Sequence, residues 1–181
     1  CATQSTSLAH LYNAQEAGRM SGGAKLGPFK IRLRSPAADG YVSTTILFGE
    51  GIGPFGKRLF DWIYEEGECQ DSDLEIEWVD FVDGVMSGTI PMGEYDRIQD
   101  VAAEFTSKRR KEDLLQEAIK RRLLMVPIAN VGDVAEEAHY VERDFWRHID
   151  VPTYGSVSFP GPSAKLSATP LSCNAPPPQI G

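Results

Sequence analysis

The sequence predicts an α+β fold, with a small antiparallel or mixed sheet, helices packed on it, and extended arms at both ends. Three patterns carry the prediction. Phe29 to Ser35 alternates apolar Phe29, Ile31 and Leu33 with basic Lys30, Arg32 and Arg34, the period of a half-buried strand. Glu94 to Phe105 places Tyr95, Ile98, Ala102 and Phe105 on one helical face, where they can meet a core. Between Lys108 and Asn130 a charged amphipathic helix runs into the short apolar strand Leu124 to Ile128, expected to be buried.

Each element has a local reason. Ser5 to Met20 is rich in Ala, Gln, Leu and Glu and reads as a helix stopped at Ser21-Gly22-Gly23. Its thin stripe of Leu8, Leu11 and Tyr12 could not make a core alone. Pro36 and Asp39-Gly40 supply turn chemistry ahead of β-branched and aromatic Tyr41 to Phe48, which predicts a hairpin with Phe29 to Ser35. Gly49 to Gly56 reads as a loop, and Pro54 or Phe55 to Glu66 as a helix. Asp71 to Gly93 reads as acidic and irregular, anchored by Trp78 and Phe81. Ser107 is the expected cap of a helix to about Arg122 that buries Leu114, Leu115 and Ile119. Asn130 should cap a helical stretch to about Arg143, in one or two pieces. Phe145 to Val151 and Gly155 to Phe159 read as strands joined at Pro152-Thr153-Tyr154, and Pro and Ser dominate from Pro160 onward.

The bulk properties narrow the function. The chain has 181 residues, 41% hydrophobic and 24% charged, with a net charge of −8. No apolar run approaches the length of a membrane span. The negative charge opposes general binding to nucleic acid or an anionic membrane, so neither is an expected partner. Cys1, Cys69 and Cys173 are odd in number and widely spaced, which indicates neither a disulfide framework nor a zinc knuckle. Reduced thiols and a cytoplasmic location are expected.

Several motifs invite a chemical reading. Gly51-Ile52-Gly53-Pro54-Phe55-Gly56 fits the dinucleotide pattern G-x-G-x-x-G. Yet the strand before it reads as a hairpin arm, and no second strand ends in an acid some twenty residues on, so a helix-entry loop is the preferred reading. Gly22 and Gly23 permit a bend and close approach to a ligand, or simply a hinge. Lys108, Arg109, Arg110 and Lys111 cluster at an expected helix N-terminus, where cations oppose the macrodipole. They would be a solvated helix end or a site for an acidic partner. His10, His139 and His148 are too scattered for a metal motif, and no metal is expected. Glu137 and Glu142 near His139 could tune a base, although a surface histidine is the plainer reading.

A series of segments resembles the family III CoA-transferases, the carnitine dehydratase and bile-acid-inducible protein F type. Ser7 to Met20 resembles the helix after that family's Gln-x-(Val/Ile)-(Asp/Glu)-x-Ser segment. Asp39-Gly40-Tyr41-Val42 is similar to its hairpin motif, and Lys111 to Leu115 to its helix start. Val126-Pro127-Ile128-Ala129-Asn130-Val131-Gly132-Asp133-Val134 resembles APVNTVEDV. Arg143-Asp144-Phe145-Trp146 resembles RGFW with Asp144 in place of the usual Gly. Ser158 to Pro162 with Leu166 to Pro170, and then Ala175-Pro176 to Gly181, follow in the family's order.

The resemblance implies a fragment of an acyl-CoA transferase, mainly its small domain. Residues 1–27 would be a helix and glycine-rich linker belonging to the large domain, 28–159 the small α+β domain, and 160–181 a Pro-rich segment returning toward the large domain. The parent would move CoA from an acyl-CoA onto a carboxylate through an aspartyl intermediate, and would form an interlocked homodimer. That aspartate would lie outside this chain, so Asp39, Asp133 and Asp144 are not assigned its role. No catalytic residue is expected here, no cofactor bound by the chain, and no activity from the chain alone. CoA thioester would be the parent's substrate. The resemblance also implies an active-site cover at Gly22 and Gly23, with Gly18 and Gly27 as flanking hinges. An acyl-CoA racemase or isomerase of the same family, and a non-catalytic interaction module, are the alternatives.

Overall fold

The computed structural model describes residues 19, 20 and 22–172. Most of the helix expected over Ser5 to Met20, and the end of the Pro-rich tail, lie outside the described residues. Arg19–Met20 is strand β1 rather than the end of a helix. Gly22, at φ 72°, turns the chain so that β1 pairs antiparallel with β2, Gly23–Leu26. Contacts group the chain into two units, one up to Ile128 and one from Ala129.

The first unit contains two three-stranded antiparallel sheets. In one, β2 lies between β1 and β3, Phe29–Arg32. In the other, β5 (Gly40–Thr44) lies between β4 (Ser35–Ala37) and β6 (Met125–Ile128). The expected hairpin is therefore divided. Phe29–Arg32 pairs upstream with Gly23–Leu26, and only Ser35–Ala37 pairs with the Tyr41 strand. Pro36 and Pro127 both sit within strands at the edges of the second sheet. An edge strand can leave one side of its backbone unpaired, so it tolerates a residue without an N–H. Leu124 to Ile128 is accordingly less buried than its composition suggested. Met125 is buried, while Val126 and Ile128 are exposed.

Among the described residues, four α-helices complete this unit: α1 (Gly53–Glu65), α2 (Phe81–Ser87), α3 (Glu94–Ser107) and α4 (Lys111–Arg121). Tyr95, Ile98, Ala102 and Phe105 are all buried, as their spacing on α3 predicts. Trp78 and Phe81 are buried anchors, but their stretch is more ordered than expected. A 3₁₀ turn covers Asp71–Glu75, and α2 follows. Helix α2 escapes the sequence because Gly84 lies within it. That glycine has a packing reason, since a Cβ there would collide with the Ile90 side chain. Ser107 ends α3 instead of capping α4, donating its hydroxyl to the Glu104 carbonyl. On α4, Leu114 and Ala118 face inward and Ile119 is 66% exposed, against the expectation that it is buried.

The core is aromatic. Phe48 stacks on Phe81 with centroids 3.9 Å apart, and the Trp62 and Phe105 rings meet edge to face at 4.7 Å. Tyr95 donates its buried hydroxyl to the Ile46 carbonyl at 2.9 Å, which gives the polar end of the ring a partner in the interior.

The second unit holds α5 (Val131–Glu136), α6 (Ala138–Glu142) and the hairpin of β7 (Trp146–Val151) with β8 (Gly155–Pro160). Asn130 caps α5 as its residue type predicts. Its side chain accepts from the Asp133 backbone N–H at 3.0 Å, and the Asp133 carboxylate accepts from the Asn130 N–H at 2.9 Å. Those reciprocal bonds satisfy two donors at the helix entry. The helical stretch breaks at Glu137, whose ψ of 118° is extended. No described residue from Ala129 on is buried.

Candidate functional site

Gly22 and Gly23 form a tight strand connection rather than an open loop. The Gly22 carbonyl accepts from the Leu33 N–H at 3.0 Å, and Gly23 pairs with Arg32. Gly23 is required by close approach, because a Cβ there would overlap the Ile31 carbonyl oxygen. The sheet is tied to α3 by Gln99. Its Oε1 accepts from the Arg32 N–H at 2.7 Å, and its Nε2 donates to the Lys30 carbonyl at 3.1 Å. Beside Gly22 lies the Arg34 side chain, whose guanidinium rests 4.4 Å from the centre of the Tyr41 ring. A glycine turn next to an arginine is thus held on a fixed sheet.

Gly51 to Gly56 has a different explanation. A Cβ at Gly53 would collide with the Trp78 backbone, and one at Gly56 with the Trp78 indole. The glycines let α1 seat against a buried tryptophan. The preceding strand, β5, runs antiparallel to both neighbours, which is not the parallel βαβ unit that presents a pyrophosphate to a helix N-terminus.

The other sequence candidates are engaged within the fold. Lys108 and Arg109 follow α3, where they bind Glu68 at 3.0 and 2.7 Å. Arg109 also lies 3.7 Å from the centre of the Phe105 ring. Both cations hold the Glu68 carboxyl below its ordinary range, the hydrogen bond from Arg109 most strongly. Asp39 accepts from the Lys111 N–H at 2.8 Å at the entry to α4, and that bond lowers its pKa. Asp133 belongs to the Asn130 capping box, and Asp144 accepts from Arg147 at 2.8 Å. His139 is exposed on α6. Among the described residues no cluster of three His, Cys, Asp or Glu side chains could hold a metal ion.

A feature not read from the sequence lies in the second unit. A cleft of about 690 Å³ is walled by Tyr140, Phe145 and Trp146 and by apolar residues of α5, with His148 and Ser158 at its polar side. The Phe145 ring packs 5.0 Å from Tyr140 and 5.4 Å from Trp146. Ser158 Oγ and His148 Nδ1 are 3.2 Å apart, and no carboxylate hydrogen-bonds that imidazole among the described residues. A Ser–His pair without an orienting acid is not a nucleophile triad. The cleft is suited to holding an apolar group. The aromatic run Tyr140, Phe145 and Trp146 was the available signal, but only the turn at Asp144 brings those rings together.

Asp144 itself has a φ of 51°. That is the left-handed region favouring glycine, with Asp among the better-tolerated alternatives. The backbone therefore explains why a glycine suits this position.

Residues 87–181 match the model of CoA-transferase family III. The chain belongs to CoA-transferase family III. The family match includes α3, α4, β6 and all of the second unit. Solved structures agree at the level of fold. The chain is similar to a CAIB/BAIF family protein from Brucella suis, with 17% identity and a TM-score of 0.58 over 96% of this chain and 40% of that one. It is also similar to Rv3272 from M. tuberculosis, with 13% identity and a TM-score of 0.51 over 99% of this chain and 42% of that one. The family III chain thus spans about two-fifths of the length of each structure. None of the curated proteins matches it significantly. Among the described residues no helix is long and apolar enough to cross a membrane.

Proposed function

We propose that this chain is the small-domain part of an enzyme that moves CoA from an acyl-CoA donor to a carboxylate acceptor. The family match over residues 87–181 carries this reading. In the proposed reaction an aspartate outside this chain attacks the thioester carbonyl. The C–S bond breaks, CoA leaves as the thiolate, and an acyl-aspartyl anhydride remains. CoA thiolate then attacks the aspartyl carbonyl and releases the donor carboxylate. The acceptor carboxylate displaces CoA from that thioester to form a second anhydride, and CoA thiolate takes the acceptor acyl group and frees the aspartate.

The part assigned to this chain is structural and protective. The Gly22 turn, held by β2 and β3, covers the reacting thioester and excludes water that would hydrolyse the intermediate. The sheet under it is fixed by Gln99, so any opening of the cover is concentrated at the turns, Gly22 and Gly27, which both adopt positive φ.

The test is transfer between acyl-CoA donors and carboxylates, followed by chromatography of the CoA esters. The complete natural protein should produce a new acyl-CoA, and the 181-residue chain alone should not. Gly22→Ala in the complete protein should raise hydrolysis relative to transfer. An unchanged ratio of the two would remove the covering role.

A further inference from the structure

The second unit contains three lysines and arginines, Arg143, Arg147 and Lys165. All three line one hollow of about 250 Å³, formed where the Pro-rich segment folds beside the start of β7. The Gly161 N–H, bonded to the Phe145 carbonyl at 2.9 Å, fixes that segment there. The acidic residues of this unit are otherwise placed. Asp133, Glu136, Glu137, Glu142 and Asp150 do not line the hollow, and Asp144 does. Three cations against one carboxylate leave the hollow a formal charge of +2, in a chain whose net charge is −8.

A second observation extends the site. Asp144 and Phe145 also line the aromatic cleft, so the charged hollow and the apolar cleft share a wall. Trp146 lines that cleft, and its indole N–H is buried without a hydrogen-bond partner among the described residues, a state that folded proteins seldom leave uncompensated.

We propose that this shared hollow and cleft bind a phosphate monoester carried on a small apolar body. The charge decides between anions. A phosphate monoester carries about −1.5 to −2 near neutral pH, which matches the hollow's +2, whereas a carboxylate carries half as much. Arginine guanidinium groups suit phosphate because their N–H groups reach two oxygens at once. Among the described residues Arg147 is the one of the three that forms an ion pair, with Asp144, whose charge Lys165 also feels at longer range. An incoming phosphate competes with Asp144 for Arg147 and meets Arg143 and Lys165 directly. The proposal concerns binding and does not depend on CoA transfer.

Titration calorimetry and amide NMR of the full 181-residue chain test it, with octyl phosphate, inorganic phosphate, octanoate and octanol as probes. Octyl phosphate should bind saturably at one site and move the Trp146 indole N–H resonance. Octanoate, inorganic phosphate and octanol should each bind more weakly. Arg147→Gln should weaken octyl phosphate about tenfold by removing a charge-assisted contact. Asp144→Asn should tighten it, because the competing carboxylate is gone while Asn still accepts the left-handed backbone. Sedimentation with phosphatidate vesicles separates the sources: co-sedimentation assigns the phosphate to a lipid headgroup, and its absence assigns it to a soluble ligand. The proposal is overturned if octyl phosphate does not saturate, if octanol or octanoate binds equally well, or if Asp144→Asn weakens binding.

Discussion

Gly56 shows how one residue can carry two readings. In sequence it completes a dinucleotide pattern, and in the fold it lies against the Trp78 ring, which a Cβ would strike. Alanine favours a helix over glycine by up to about 1 kcal/mol, but overpacking a core costs about 1–3 kcal/mol. Gly56→Ala should therefore lower stability by about 1–2 kcal/mol in urea unfolding. Gly51→Ala, with open space around it, should stay within about 0.5 kcal/mol of wild type. Asn130 is the complementary case, legible from residue type alone. Because α5 has no buried residue, its cap acts locally. Asn130→Ala removes about 1 kcal/mol, so amide exchange over Val131–Glu136 should quicken about fivefold. Unchanged exchange would dismiss the cap. Ile119 stays exposed because α4 packs on its neighbours through a narrow stripe. Leu114 and the small Ala118 fill that contact and leave no room for a wider face.

At the scale of elements, helices with strong periodicity were legible and strand partners were not. Alternation identified Phe29 to Arg32 as a strand, but pairing depends on what lies beside it. Here the Gly22 and Gly27 turns favour the upstream neighbours. Gly23→Ala tests that register, because its Cβ would press on the β3 backbone. A loss of about 1–3 kcal/mol is expected, while a neutral result would show that β2 and β3 can separate freely. The link from α3 to the stretch after α1 is electrostatic. Arg109 and Lys108 depress the Glu68 pKa below its ordinary 4.5. A carboxyl with a depressed folded pKa adds stability above its unfolded pKa and loses it as pH falls through the folded value. Wild-type stability should thus decline below about pH 4.5, with Glu68 contributing. Glu68→Gln should lower the urea midpoint at pH 7 and narrow its difference from wild type by pH 3. A constant difference across that range would refute the linkage.

Over the whole molecule, the α+β class and the family were both legible, because ordered motifs survive where identity to solved structures is only 13–17%. The aromatic cleft and the cationic hollow were not. They arise where Asp144 takes a left-handed turn and the Pro-rich segment folds beside β7, and neither event leaves a periodic trace. Asp39, Asp133 and Asp144 are each engaged in the fold's own contacts. The most direct measurement is CoA transfer by the complete natural protein and by this chain, side by side, across a panel of acyl-CoA donors and carboxylate acceptors. A new acyl-CoA product is expected from the complete protein and none from the 181-residue chain. Transfer by the chain alone, or no transfer by the complete protein with any pair, would contradict it.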